Sequence, residues 1–185
     1  MSSGVPAGML PLTVTTSAPG SIYCDLIRRC RNAGVPVLVD TSGKLLASAA
    51  EEKPTLIKPN EDEIVQLLGR PVSSPEEAAR ALMELHEGGI PYAVLSLGEE
   101  GALLACSEGV FHGKPPKIVP RNTVGCGDSM TAGFAAGFAR SLPVTESFRM
   151  ALAVSAASAL SLFTGDFAPA EYERLLPEIA VRRIL

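Results

Sequence analysis

Basic residues are in deficit in this chain: sixteen Lys and Arg stand against twenty Asp and Glu, for a net charge of −4. That balance disfavours a nucleic-acid partner, because gripping a phosphate backbone needs a basic face. The four cysteines, Cys24, Cys30, Cys106 and Cys126, contain no Cys-x-x-Cys pair. The common zinc and dithiol spacings are therefore excluded, and the cysteines read as reduced cytosolic thiols. No apolar run approaches the roughly 20 residues that span a bilayer. The longest, Ala151 to Phe163, is interrupted by Ser155, Ser158 and Ser161. No basic residue precedes Arg28, so the N-terminus lacks the charged region of a secretory signal. A cytoplasmic protein with no membrane partner is expected. There is no P-loop motif, no internal repeat and no low-complexity tract. What remains is 185 residues, 46% hydrophobic and 19% charged. These suffice for one globular domain with a substantial core.

Within that chain the segment Asn122-Thr123-Val124-Gly125-Cys126-Gly127-Asp128-Ser129 carries the most chemistry. Two glycines flank a small residue, an acid follows, and a helix is predicted to begin at Ser129. Exposed N–H groups of a tight Gly turn and a helix N-terminus attract anions such as phosphate. A carboxylate beside them can take a proton from an attacking hydroxyl. An anion cradle with an adjacent base is what phosphoryl transfer to an alcohol requires. The same residues also make ordinary turns, and Asp or Ser at a helix start is common capping chemistry. Gly125-Cys126-Gly127 lacks the third glycine of a dinucleotide fingerprint, Met130 standing there instead. Beyond the turn, Met130, Phe134 and Phe138 recur at helical spacing. Gly133, Ala135, Ala136 and Gly137 permit close packing, so this helix is predicted to be buried.

The block Asn122 to Gly137 resembles the second signature of the ribokinase-like carbohydrate kinases, the PfkB family. The order Asp-Ser-Met-x-Ala-Gly-Phe is similar to the phosphosugar branch, which includes 1-phosphofructokinase, tagatose-6-phosphate kinase and a 6-phosphofructokinase. Cys126 stands where that signature usually has Ala. A small side chain suits a cradle built from backbone N–H groups, so function is expected to survive the difference. The resemblance implies that Asp128 is the catalytic base and that Gly125, Cys126 and Gly127 form the anion hole.

The remaining elements follow from pattern. Helices are predicted over Ser21 to Ala33 (with Ile22, Leu26, Ile27 and Cys30 on one face and Gly34 as the stop), Lys44 to Ala50 and Glu61 to Leu68. Ser74-Pro75-Glu76-Glu77 starts another that runs to Glu87. Strands are predicted at Val35 to Val39, Leu56 to Lys58, Tyr92 to Leu97, Ala102 to Cys106 and Val110 to His112. Helices from Ser129 to Arg140, Thr145 to Leu162 and Pro169 to Ile179 close the chain. Alternating strands and helices imply a mainly parallel sheet with an antiparallel edge hairpin, and the resemblance implies a ribokinase-like three-layer α/β/α fold. Ligands of such sheets sit beyond the carboxyl ends of the strands. Asp40, Lys58, Ser96 and the Gly125–Asp128 turn all fall at or after predicted strand ends.

Two further constellations carry weight. In Lys58-Pro59-Asn60-Glu61-Asp62-Glu63, Asn60 and Glu63 form an ordinary capping box by spacing. They also match the family's Asn-x-x-Glu motif. The resemblance implies that Lys58 and Asn60 serve ATP, with Glu63 reaching Mg²⁺ through water, which is how this ion is usually held. Capping and metal work are compatible. In Ser96-Leu97-Gly98-Glu99-Glu100-Gly101-Ala102, a plain hairpin explains the glycines, whereas the resemblance places Ser96, Gly98 and Gly101 at the ATP site. Ser155 and Ser158 are expected to bond back to their own helix. His86 and His112 are expected at the surface.

The resemblance runs from about residue 12 to the end and corresponds to the C-terminal part of a family member. Residues 1–20 read as an irregular segment. Ser3 to Gly8 and Ser17 to Gly20 echo a Gly-Ser-x-Pro-x-Gly loop without completing it, and residues 21–185 form the ATP-binding part. The sugar-binding acid, the Gly-Gly signature and the lid have no counterpart. An open sheet edge is expected to favour association, a homodimer among the outcomes. The expected function is an ATP- and Mg²⁺-dependent phosphosugar kinase, with fructose 1-phosphate as the leading acceptor. Tagatose 6-phosphate and fructose 6-phosphate are the alternatives. These residues alone are expected to bind nucleotide weakly and to transfer phosphate poorly or not at all. The rival reading is a nucleotide-binding remnant without the reaction.

Overall fold

The computed structural model describes residues 10–12 and 20–185. The Ser3–Gly8 echo and residues 13–19 lie outside them. The chain divides into two compact units. The first takes in the N-terminal half to Leu95 together with Ala105–Val110, and the second holds Ser96–Leu104 and Phe111–Leu185.

In the first unit, strands β1 (Leu10–Leu12), β2 (Val37–Val39), β3 (Leu56–Ile57) and all but the last residue of β4 (Tyr92–Ser96) lie in that order, all parallel. Leu38 sits opposite Leu56, and Leu56 opposite Tyr92. Every residue of β2 and β3 is buried, as near-continuous Val/Leu/Ile runs require of strands covered on both faces. Between the strands run α1 (Gly20–Asn32), α2 (Gly43–Glu51), α3 (Glu61–Leu68) and α4 (Pro75–Glu87). Gly34 takes φ +70 at the end of α1, where the Val35 N–H returns to the Cys30 carbonyl. The buried stripe of α1 differs from expectation. Tyr23 and Ile27, one turn apart, are fully enclosed, whereas Ile22 is exposed. The aromatic ring at 23 buries more apolar surface than Ile22 does, and it turns the helix accordingly.

The second unit holds Ala102–Leu104 of β5 (Ala102–Cys106), Phe111–Lys114 of β6 (Gly109–Lys114), and all of α5 (Cys126–Ala139), α6 (Val144–Ala159), α7 (Pro169–Leu175) and β7 (Ala180–Arg183). None of the predicted elements corresponds to β7. It pairs antiparallel with β6, Phe111 opposite Arg183, yet only Val181 in it is even partly buried. The last helix stops at Leu175, and a single 3₁₀ turn carries Leu176–Glu178. Pro177 lacks the N–H needed to continue an α-helix. Similarly, α6 ends at Ala159 rather than Leu162, where the Ala159 carbonyl accepts the Arg121 and Asn122 N–H groups.

Helices α5 and α6 pack at very close range. A Cβ on Gly133 would lie 2.5 Å from the Ala151 Cα, and one on Gly137 would lie 2.5 Å from the Ser147 Oγ. Phe134 stacks on Phe148 with ring centroids 5.9 Å apart. Residue numbers rise along one helix as they fall along the other, so the two are antiparallel. The small residues at 133 and 137 are thus a packing requirement, and α5 is buried as its composition predicts.

Candidate active site

In the second unit, α5 begins three residues earlier than its sequence suggests. Cys126, Gly127 and Asp128 are its first turn rather than a turn preceding it. Gly125 is the N-cap at φ +83, a left-handed backbone that glycine tolerates and that an added Cβ would spoil again by meeting Thr164 Cγ2 at 2.6 Å. A glycine cap has no side chain to satisfy the first N–H groups, so the end of the helix is left able to receive an anion. The Cys126 N–H leans back to the Thr123 carbonyl at 3.3 Å.

The loop before it is braced from both sides. Asn122 Oδ1 accepts the Val124 N–H at 3.0 Å, and Asn122 Nδ2 donates to the Leu162 carbonyl and to Thr164 Oγ1. Behind the first turn, Ser155 Oγ on α6 donates to the Cys126 carbonyl at 3.0 Å. This corrects the expectation that Ser155 bonds to its own helix. Ser158, one turn on, is buried with no hydrogen-bond partner for its hydroxyl among the described residues. Asp128 projects into solvent. The Cys126 thiol, half-buried and 3.9 Å from the Asn122 carbonyl, is pushed up from its usual pKa by burial.

The other second-unit candidates sit together. Ser96 ends β4, and Gly98 opens a 3₁₀ turn that closes at Gly101. The Leu97 N–H bonds to the Gly101 carbonyl at 2.9 Å. Gly101 has φ +89, and a Cβ there would lie 2.0 Å from the Gly113 carbonyl oxygen. Backbone crowding alone therefore demands glycine at 101. His112 Nε2 bonds to the Glu100 carbonyl at 2.9 Å, and Lys114 holds the exposed Glu100 carboxyl below the ordinary carboxylate range.

In the first unit, Lys58 and Asp40 follow β3 and β2 directly, at the carboxyl ends of neighbouring parallel strands. Lys58 is buried, and its ammonium lies 3.1 Å from the Asp40 carboxylate. Strand adjacency could have predicted this pairing, because Lys58 N–H also bonds the Val39 carbonyl next to Asp40. Asn60 and Glu63 complete a full capping box. Asn60 Oδ1 accepts the Glu63 N–H, and Glu63 Oε2 accepts the Asn60 N–H, each at 2.9 Å. The capping reading of these two residues is realised, with one Glu63 oxygen left over. Among the described residues no three His, Cys, Asp or Glu side chains gather as a metal cage. None of the described helices is long and apolar enough to cross a membrane.

Residues 7–171 match the profile of the pfkB family carbohydrate kinases. The chain belongs to this family. The 1-phosphofructokinase of Bacillus subtilis strain 168 is 37% identical over 182 residues, covering 97% of this chain and 57% of that protein. The phosphofructokinase-2 of Escherichia coli, solved in complex with potassium, superposes with a TM-score of 0.81 at 28% identity, over 92% of this chain and 54% of that one. The ribokinase of Arabidopsis thaliana, solved with ribose and ATP, shares the fold at a TM-score of 0.72 and 24% identity, over 85% of this chain and 53% of that one. The family and the ribokinase-like α/β fold expected from the Asn122–Gly137 block are thereby established. The chain spans little more than half the length of these relatives.

Proposed function

We propose that this chain is the ATP-handling part of a phosphosugar kinase that transfers the γ-phosphoryl group of ATP to a sugar-phosphate hydroxyl. The observation that carries the reading is the first turn of α5. Its uncapped N–H groups and the exposed Asp128 carboxylate share one helical turn, as base-assisted phosphoryl transfer needs. In this reading Asp128 accepts the proton of the attacking hydroxyl. The Gly125–Gly127 backbone stabilises the charge that develops on the phosphoryl oxygens. Lys58, Asn60, Ser96, Gly98 and Gly101 serve nucleotide binding.

The residues present fit magnesium in one specific way. The single spare Glu63 oxygen, without a cluster around it, suits a largely hydrated Mg²⁺ carried by the nucleotide phosphates. That ion would supply charge neutralisation at those phosphates. Fructose 1-phosphate is the proposed acceptor, supported by the 1-phosphofructokinase relative. Little transfer is proposed for these 185 residues alone.

The test is Asp128→Asn in a catalytically active, extended version of the chain. Turnover should fall about 10²- to 10⁴-fold with the folding transition and ATP affinity retained. Near-normal turnover in a folded variant rejects Asp128 as base. A panel of fructose 1-phosphate, fructose 6-phosphate and tagatose 6-phosphate decides the acceptor.

A further inference from the structure

We infer that Ser155 is a positioning residue of the phosphate-binding turn, setting the direction and donor strength of the Gly127 N–H through the peptide bond behind it. The inference rests on the kinase reading above. Ser155 Oγ donates to the carbonyl oxygen of Cys126 at 3.0 Å, from a helix 29 residues further along the chain. That carbonyl and the Gly127 N–H belong to the same peptide plane. The peptide is trans, so its C=O and N–H point in opposite directions. A hydroxyl fixing the carbonyl at the rear therefore aims the N–H at the front, out of the N-terminus of α5. It also polarises the amide, and hydrogen bonds linked in this way strengthen one another.

The next peptide is held in the same manner. Thr131 Oγ1 donates to the Gly127 carbonyl at 3.2 Å, and the N–H of that plane belongs to Asp128. Thr131 reaches back within its own helix, a common habit of buried threonine. Ser155 crosses between helices, which takes an unusually close approach. Gly133 against Ala151 and Gly137 against Ser147 provide it. The small-residue face of α5 thus has a consequence beyond packing. It brings α6 near enough for a side chain as short as serine to reach the first turn of α5.

The test uses the 185-residue chain itself, labelled with ¹⁵N and titrated with Mg-ATP and then Mg-ADP, comparing wild type with Ser155→Ala and Ser155→Thr. Without nucleotide, Ser155→Ala should move the Gly127 amide resonance upfield while leaving amides at the far end of α5 in place. With nucleotide, it should weaken ATP binding about fivefold, the effect of one hydrogen bond, and weaken ADP binding less. Ser155→Thr, which keeps the hydroxyl, should restore both. Ser155→Ala is nearly isosteric; should it nonetheless unfold, Ser155→Cys supplies a poor donor of similar shape for the same comparison. A wild-type chain whose Gly127 amide ignores ATP overturns the kinase reading, and this inference with it. A Gly127 amide that responds to ATP equally in wild type and Ser155→Ala overturns the inference alone. A uniform loss of ATP and ADP affinity that threonine does not rescue also rejects it, in favour of a merely structural serine.

Discussion

Cys126 sits where two effects oppose each other. A helix N-terminus stabilises a thiolate and lowers the pKa of a thiol placed there, whereas burial disfavours the charged form and raises it. Burial of the thiol raises its pKa above the usual value. Because only the thiolate attacks an alkylating reagent, modification of Cys126 should be slow at pH 7. It should then rise about tenfold per pH unit through the range where a free thiol, with pKa near 8.5, is already levelling off. Peptide-resolved iodoacetamide labelling across pH 7–10 checks this, and a plateau below pH 8 would mean that the field of the helix prevails instead. Asn60 poses a similar choice, between cap and ligand. Asn60→Ala should cost about 1 kcal/mol through loss of the cap. Asn60→Asp keeps a good cap but adds a negative charge to a helix start that already carries Glu61, Asp62 and Glu63, at a site proposed to face phosphate. Its denaturation midpoint should match wild type while calorimetric ATP affinity falls about tenfold, as one unfavourable charge interaction of roughly 1.4 kcal/mol implies. Unchanged affinity would leave Asn60 a cap and nothing more.

Gly133 decides between propensity and packing at the scale of the helix pair. Gly133→Ala gains about 1 kcal/mol of helix propensity, yet its new methyl would lie 2.5 Å from the Ala151 Cα, a backbone atom that cannot rotate away. Overpacking of this kind costs about 1–3 kcal/mol, so a net loss of stability is expected in chemical denaturation. A more stable variant would show that α5 and α6 can separate without penalty. The elements themselves were largely legible in the sequence, because their signals are local. Asn60 with Glu63 and Ser74 with Pro75 mark helix starts that the structure reproduces to the residue. The start of α5 was not legible. Gly125 caps without a side chain, so nothing in the sequence separates a glycine turn before a helix from the first turn of the helix. Strand β7 was missed for a different reason. It is short and mostly exposed, and its pairing with β6 across some 70 residues leaves no alternating pattern. The Ser155 tie was invisible because it depends on helix register, which single-helix patterns do not carry.

At the scale of the whole molecule, the candidate residues are divided between units. Lys58, Asn60 and Glu63 belong to the first, and Ser96, Gly98, Gly101 and Gly125–Asp128 to the second. Binding and chemistry therefore need separate measurements, because a chain spanning little more than half of its relatives can retain the one without the other. Thermal unfolding reads binding directly. A ligand that binds only the folded state stabilises it by about 2.7 kcal/mol at a hundredfold excess over its Kd. For a chain of this length each kcal/mol moves Tm by about 2–4 °C. Mg-ATP at that excess should therefore raise Tm by about 5–11 °C, and an unrelated anion at equal ionic strength should not. Asp128→Asn should keep this shift or enlarge it, since removing a carboxylate beside the phosphate site relieves like-charge repulsion. Its effect belongs to turnover. A chain that shows no shift with millimolar Mg-ATP has no nucleotide site of this kind, and the reading of the α5 turn as a phosphate cradle then fails. A shift that disappears in Asp128→Asn would make that carboxylate a binding group rather than a base.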